Sequence, residues 1–274
     1  MDILGFKDCI CVITGALRSV ITMQTLEEEF FYGSYDGAIR SFDLKSGKRT
    51  QVYRGHRAQV SQLIVDKSTK TMYSVSHDGD IRYWHIGEDA QCTRVVRNPP
   101  MTNEPTTTEY ANGHNPIHCI AQCKTRGILV TDRIDGTLLV WRTEDGQLLK
   151  AYSGHAALIT CLEIQGPYLY SGSRDTFCKV LNLDTDEVVA VMKPSNSPIK
   201  SLHVHQHWIF VGCANGNIYQ YDIRLPSQVE RVFKGHSEPV LSLIVFEDYL
   251  FSGSDDTYVI MWSIPDARIV HVYS

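Results

Sequence analysis

Several signatures of catalysis and of cofactor binding are missing from this 274-residue chain. It has no Cys-x-x-Cys pair, no cysteine–histidine spacing typical of zinc, no glycine-rich phosphate loop and no Gly-x-Ser-x-Gly elbow. No apolar run approaches the roughly 18 residues that a membrane-spanning helix needs. We therefore expect no cofactor, no metal, no small-molecule substrate and no membrane contact, and we predict that the chain is not an enzyme.

The chain also lacks an excess of positive charge. Its formal net charge is −5 at pH 7, which argues against a polycation that would bind nucleic acid over its whole surface but leaves room for a local basic patch. The eight cysteines are scattered, mostly in apolar stretches such as Ile10-Cys11-Val12. Buried, reduced thiols of this kind predict an intracellular protein.

What the chain does contain is a repeat of about forty residues. An Asp or Asn recurs at positions 36, 78, 135, 175, 215 and 256, with gaps of 42, 57, 40, 40 and 41 residues. Six residues after each of them stands a large apolar or aromatic residue: Phe42, Trp84, Trp141, Leu181, Tyr221 and Trp262. A Gly-His pair precedes four of the motifs, at 55–56, 113–114, 154–155 and 235–236. A fixed period of this size indicates a repeat architecture.

Each copy reads as four short strands. Runs of four to seven strand-forming residues are bounded by Gly, Asp and Pro, and some runs, such as 137–141, are apolar enough to be covered on both faces. No segment shows a sustained helical period. The predicted units are 15–54, 55–97, 113–153, 154–192, 195–234 and 235–274. The longest gap holds an insertion, 98–112, rich in Pro, Thr and Asn, which predicts a mobile loop.

The spacing of Gly-His, Asp and Trp resembles that of the WD40 family of β-propellers, over roughly residues 7–274. The resemblance implies an all-β propeller with six four-stranded blades in a single domain, 1–274. A seventh outer strand is predicted within 1–14, at 8–14. Either the ring has six blades with one redundant outer strand, or a further blade outside this chain makes it seven-bladed; the sequence leaves both open.

The resemblance also implies a structural tetrad in which His bonds the turn Asp and Ser or Thr links His to the Trp indole. The predicted tetrads are His56, Ser74, Asp78 and Trp84; His114, Thr131, Asp135 and Trp141; and His236, Ser252, Asp256 and Trp262. The fourth unit has His155, Ser171 and Asp175 but Leu181 in place of Trp. The first and fifth units are degenerate. Because the Ser–His–Asp set recurs with Trp as its fourth member, a structural role is favoured over hydrolysis.

Family geometry places the entry loops and the Asp turns on one face, where partners bind. The residues predicted on this partner-binding face are Arg18, Tyr35, Arg57, His77, Asn115, Ile134, Leu158, Arg174, Glu238 and Asp255. Their mixture of aromatic, Arg and acidic groups favours a protein or peptide partner. The expected function is a protein-interaction scaffold, a monomeric domain within a larger protein.

Two alternatives stay open. The Arg residues near the first four turns allow an RNA-binding module of a nuclear RNA-associated protein, which favours a nuclear over a cytoplasmic location. The segment Tyr221-Asp222-Ile223-Arg224 resembles the Trp-Asp-x-Arg box of cullin-ligase substrate receptors, although Tyr stands in place of Trp.

Overall fold

A computed structural model describes residues 19–87, 89–99 and 115–274, and these form six four-stranded antiparallel sheets. The prediction of an all-β fold with six blade sheets is confirmed. The predicted outer strand at 8–14 and most of the predicted loop at 98–112 lie outside the described residues. The chain separates into two compact units, Met1–Pro116 and Ile117–Ser274, and each is treated on its own. The single-domain organisation over 1–274 stays a prediction.

Unit 1 holds two sheets, with the strands of each sheet adjacent in chain order. Their bounds are β1 (Val20–Leu26), β2 (Glu29–Ser34), β3 (Ile39–Asp43) and β4 (Arg49–Tyr53), then β5 (Val60–Asp66), β6 (Thr71–Ser76), β7 (Asp80–His85) and β8 (Cys92–Arg97).

Unit 2 holds four sheets of the same order, and one short 3-10 turn at Lys124–Arg126 joins its first two strands. The bounds are β9 (Ile120–Cys123), β10 (Ile128–Asp132), β11 (Thr137–Arg142) and β12 (Leu148–Ser153); β13 (Ile159–Gln165), β14 (Tyr168–Ser173), β15 (Cys178–Asn182) and β16 (Glu187–Met192); β17 (Ile199–His205), β18 (Trp208–Cys213), β19 (Asn217–Asp222) and β20 (Val229–Lys234); and β21 (Val240–Phe246), β22 (Tyr249–Ser254), β23 (Val259–Ser263) and β24 (Arg268–Tyr273). Within the described part of the chain, no helix reaches the length and apolarity that a membrane span would need.

The apolar core lies between successive sheets of each unit. Glycines on second strands let the neighbouring sheet approach: a Cβ on Gly172 would stand 2.6 Å from Ile199 Cγ2, and one on Gly212 would stand 2.9 Å from Val240 Cγ1. Hydroxyls make a second link, since Thr160 donates to the Ile199 carbonyl at 2.8 Å and Ser201 donates to the Val240 carbonyl at 2.8 Å. The same contact therefore repeats from sheet to sheet.

The register between third and fourth strands shifts at one recurrent place. In every sheet the irregularity falls next to the residue six positions after the turn Asp or Asn, for example between Tyr83 and Trp84 and between Met261 and Trp262. A bulge increases the local twist and re-aims a side chain. The bulge therefore places the large residue six positions after each turn Asp or Asn at the same point relative to the second strand.

Candidate interaction surface

The second sheet contains a complete hydrogen-bonded tetrad. His56 Nδ1 lies 3.0 Å from Asp78 Oδ2, and His56 Nε2 lies 2.7 Å from Ser74 Oγ. The Trp84 indole N–H donates to the same Ser74 oxygen at 2.8 Å. Since a carboxylate can only accept, Nδ1 carries the proton and the Ser74 hydroxyl donates to Nε2. All four residues are buried, so the network links strands and is closed to a substrate.

The sixth sheet repeats this geometry. His236 Nδ1 lies 2.8 Å from Asp256 Oδ2, His236 Nε2 lies 2.7 Å from Ser252 Oγ, and the Trp262 indole N–H donates to Ser252 at 2.7 Å. The carboxylate also accepts from the backbone N–H of Ser237 at 3.1 Å and from that of Tyr258 at 3.0 Å. The turn Asp thus holds its own turn and the entry loop together.

The turn carboxylates are held ionised despite their surroundings. For Asp78, burial is the largest influence and raises the pKa, but the hydrogen bond and charge of His56, with two backbone N–H groups, more than reverse it and the pKa falls well below its usual range. Asp175 and Asp256 have lowered pKa values by the same opposition of burial and hydrogen bonding. These carboxylates are therefore ionised and accept hydrogen bonds at neutral pH.

Three of the four residues of the third predicted tetrad lie within the described part of the chain. The Trp141 indole donates to Thr131 Oγ1 at 2.9 Å, as in the other tetrads. His114 lies outside the described residues. Asp135 makes an ion pair with Arg133 at 2.6 Å and accepts from the Thr137 N–H at 3.0 Å.

A carboxylate that sequence reasoning missed lies within this sheet, at the end of β10. Asp132 is fully buried and accepts from the backbone N–H groups of His118 and Cys119 at 2.7 and 2.8 Å, while His118 Nδ1 lies 2.9 Å from its second oxygen. The available signal was an acidic residue at the end of an otherwise apolar strand, where the sixth sheet has Gly253.

The remaining sheets replace missing tetrad members in different ways. In the fourth, His155 contacts Asp175 and Ser171, each at 2.9 Å, and Leu181 provides no donor. In the first, the place of the tetrad is taken by Arg40, which is buried and bonds both oxygens of Asp36 at 3.1 and 2.6 Å. In the fifth, Asn215 donates to the Tyr219 hydroxyl at 3.2 Å. In the first and fifth sheets, which lack the tetrad histidine, the turn residue thus bonds a long side chain four positions later, Arg40 or Tyr219.

At five of the six turns, the residue immediately before the turn Asp or Asn is fixed by the same backbone bond. Their N–H groups donate to a carbonyl at the start of the same sheet: Tyr35 to Ser19 at 3.0 Å, His77 to Gln59 at 3.2 Å, and Arg174 to Leu158 at 2.9 Å. The N–H of Asp255 bonds the Pro239 carbonyl at 3.1 Å in the same way. The backbone of these residues is therefore held in the same way in each of these sheets.

The predicted partner-binding residues differ in how far they reach solvent. The exposed ones are Tyr35 and Arg57 in unit 1 and Arg174, Glu238 and Asp255 in unit 2. His77, Ile134 and Leu158 are partly buried, and His77 lies within 2.9 Å of Gln59 Nε2. Arg18 lies outside the described residues.

Asn115 does not fit the predicted partner-binding face. It is buried, its side-chain amide donates to the Pro99 carbonyl at 2.7 Å, and its own carbonyl accepts from Asn98. Asn98 is also buried, and its N–H bonds the Gly79 carbonyl at 2.9 Å. Asn98 and Pro99, the first two residues of the predicted loop, are therefore held against the second sheet, and Asn115 forms hydrogen bonds with both.

Arg57 belongs to a small charged cluster. Asp80 is buried, and the guanidinium groups of Arg57, Arg82 and Arg97 lie 3.9, 3.2 and 3.4 Å from its oxygens. The side chains of Arg57 and Arg97 are 53% and 73% exposed. This cluster is the most basic feature among the candidate positions. Among the described residues, no group of His, Cys, Asp and Glu is arranged to hold a metal ion.

Comparison with known proteins finds the same repeat in other chains. The family model "WD domain, G-beta repeat" matches residues 47–85, 146–182 and 227–263. The chain is 21% identical to the human kinesin-like protein KIF21A over 93% of its own length and 27% identical to the human F-box/WD repeat-containing protein 10 over 89%. It is 26% identical to the E3 ubiquitin-protein ligase COP1 of Arabidopsis thaliana over 79%, which is 34% of that protein.

The chain is much shorter than these relatives, spanning 16% of KIF21A and 22% of the F-box protein. Among solved structures it resembles the computationally designed Ika8 protein, with a TM-score of 0.72 and 26% identity over 90% of this chain and 71% of that one. The matched repeats occur in both units, and each runs from the fourth strand of one sheet to the third strand of the next. This chain therefore belongs to the WD40-repeat family of β-propellers.

Proposed function

We propose that this chain is a non-enzymatic interaction module that binds a protein or peptide through the turn surface, defined as the exposed side chains at the Asp-turn and entry-loop positions. The observation that carries the proposal is the backbone bond repeated before five of the six turns, which holds the backbone of Tyr35 in unit 1 and of Arg174 in unit 2 in the same way. Tyr and Arg are enriched among residues that dominate binding energy, and a rigid frame reduces the entropy lost on binding.

The test compares two triple variants. Tyr35→Ala, His77→Ala and Arg174→Ala together remove turn-surface side chains without touching a tetrad. The matched control, Arg142→Ala, Glu144→Ala and Arg268→Ala, changes three residues at or beside the hairpins that join third and fourth strands, at the opposite end of the sheets. Affinity capture from cell extract is expected to lose its main protein with the first variant alone. Capture that survives the first variant, or that fails equally with both, contradicts the turn surface.

RNA binding is the second candidate, favoured by the exposed guanidinium groups of Arg57 and Arg97. Asp80 neutralises part of this charge, which is why protein binding is preferred. If RNA is the ligand, ribonuclease abolishes capture, and log affinity falls with log salt by roughly 0.7 for each phosphate contact on single strands. Nuclear location stays a prediction tied to this alternative.

A ligase substrate receptor is the third candidate. Two relatives carry F-box or ubiquitin ligase names, which supports it by similarity. The local geometry argues against the proposed box, because Arg224 folds back onto Asp222, with Nε 2.8 Å from Oδ1, and is engaged within its own turn. Recovery of cullin-ligase subunits in the capture, lost with Arg224→Ala, would favour this candidate.

A further inference from the structure

Unit 1 has a pocket at the opposite end of its strands from the Asp turns. It measures about 440 Å³ and lies where the β1–β2 and β3–β4 hairpins of the first sheet meet the second sheet. Leu26, Tyr53 and Ile86 contribute its apolar surface, and Glu28, Glu29 and Asp43 contribute its charge. Leu26, Tyr53 and Ile86 are buried, whereas the carboxylates stand half-buried or exposed. The pocket therefore combines an apolar floor with an acidic rim.

The rim has more negative charge than its neighbours can neutralise. Glu29 and Asp43 are direct register partners on β2 and β3, and both line the pocket. Like charges directly opposite each other on a sheet destabilise it. Glu27 and Glu28 add two more carboxylates from the hairpin, against the ammonium groups of Lys70 in the lining and Lys45, which pairs with Glu28 at 2.5 Å. Four carboxylates thus face two cations.

Tyr53 supplies an independent indication of a ligand. Its ring packs in the core, with centroids 6.3 Å from Phe31 and 5.8 Å from Trp84, and the residue is 1% exposed. Its hydroxyl makes no hydrogen bond of good geometry with the described residues, and a weaker interaction with the Ser41 side chain acts only to lower its pKa. Burial, and then the charge of Glu29, raise the pKa of Tyr53 to about 12, which places the hydroxyl near the acidic rim and keeps it protonated. An unsatisfied buried hydroxyl is costly, and a ligand in the pocket would remove that cost.

These features together match a long side chain with an aliphatic stem and a cationic head. A bare metal ion does not fit, because the described residues form no metal-holding cluster and the floor is apolar. Lysine and arginine bury their methylene stems against apolar surface while the charged group stays among polar partners. We propose that this pocket binds a lysine or arginine side chain of a basic peptide segment, seated on Leu26 and Ile86 with its cation between Glu29 and Asp43.

Synthetic peptides test the charge and the stem separately. Fluorescently labelled peptides alternating serine with lysine, arginine or norleucine are titrated with the whole chain at low salt, and binding is followed by anisotropy. The lysine or arginine peptide should bind saturably and weaken as salt rises, because partly exposed charges are screened. The norleucine peptide keeps the stem without the charge and should not bind. Equal binding of all three peptides overturns the proposal.

Two pairs of substitutions locate the site. Glu29→Gln with Asp43→Asn should weaken the basic peptide about tenfold, the loss of roughly 1.4 kcal/mol. The fold should hold, since the change relieves a like-charge pair. The matched control, Glu247→Gln with Asp248→Asn, removes two carboxylates from the equivalent hairpin between β21 and β22. Similar weakening by the control would show general attraction to an acidic protein and would overturn the pocket.

Tyr53→Phe provides a second readout that does not depend on the carboxylates. It removes a hydroxyl that has no hydrogen bond of good geometry within the described residues, so peptide affinity should fall severalfold while the midpoint of thermal unfolding stays the same or rises. Unchanged affinity, or a lowered midpoint, would mean that the hydroxyl serves the core and not a ligand. This pocket is separate from the turn surface, so the outcome leaves the proposed function untouched.

Discussion

The tetrad serines and threonine hold tryptophans that would otherwise bury an unpartnered indole N–H. Ser74, Thr131 and Ser252 each accept from an indole, at 2.8, 2.9 and 2.7 Å. A buried donor without a partner costs about 1–3 kcal/mol, so each of these hydroxyls matters more than its size suggests. Where Leu181 replaces Trp, no indole needs a partner, and Ser171 still serves His155.

Trp262→Ala should lower the free energy of unfolding by about 3–5 kcal/mol, because it opens a cavity in the core and removes the donor to Ser252. Trp262 is fully buried and packs edge-on against Phe233 at 5.7 Å. Urea unfolding followed by circular dichroism measures the loss. Trp208→Ala is the control, since Trp208 is only half-buried and its ring lies against that of His207 at an angle of 43°. Equal losses in the two variants would refute a special role for the tetrad.

His155 should make stability depend on pH. Burial is the largest cause of its lowered pKa, Lys179 adds to it, and the Asp175 hydrogen bond opposes it. The unfolded chain therefore binds more protons, so this stability is complete above the ordinary histidine pKa of about 6.5 and is lost as pH falls below it. We expect the free energy of unfolding to fall less between neutral and mildly acidic pH in His155→Gln. Parallel pH profiles would contradict this.

At the level of elements, glycines decide how closely two sheets can pack. A Cβ on Gly212 would lie 2.9 Å from Val240 Cγ1 and 3.1 Å from Val240 Cβ in the adjacent sheet, and rotation of the Val240 side chain cannot move its Cβ. Gly253 occupies the same place on the last sheet, where a Cβ would meet only Ser242 Oγ, at 2.6 Å. The two glycines are alike in sequence but differ in what faces them.

Gly212→Ala should therefore destabilise the protein by about 1–3 kcal/mol, since overpacking forces the sheets apart. Gly253→Ala should change stability by no more than about 0.5 kcal/mol, because a serine hydroxyl can rotate and alanine reduces the entropy of the unfolded chain. Thermal and urea unfolding of both variants provide the comparison. A loss at Gly253 as large as that at Gly212 would show that its face is packed against another part of the protein.

At the scale of the whole molecule, three buried thiols report on the packing of unit 2. Cys119, Cys178 and Cys213 are 2%, 0% and 0% exposed, and burial raises the pKa of each thiol, to about 12 for Cys213. Because the thiolate is the reactive form, these cysteines should resist a disulfide reagent in the folded protein and react when urea unfolds it. Mass mapping of the labelled peptides makes the measurement, with the partly exposed Cys92 as the faster control. Rapid labelling of Cys178 under native conditions would contradict a tightly packed core.

The repeat, the six four-stranded sheets and the Asp–Trp spacing were readable from sequence because each depends on neighbours along the chain. Asp256 caps an N–H two residues away, and Trp262 follows it by six positions within one hairpin. Tertiary structure alone decided which side chains take over in degenerate repeats, as with Arg40, and which predicted surface residue is buried, as with Asn115. It also brought the Tyr53 hydroxyl to an acidic rim built from another strand pair. Such contacts join residues whose separation along the chain varies, so no fixed spacing in the sequence predicts them. They form only when the sheets pack.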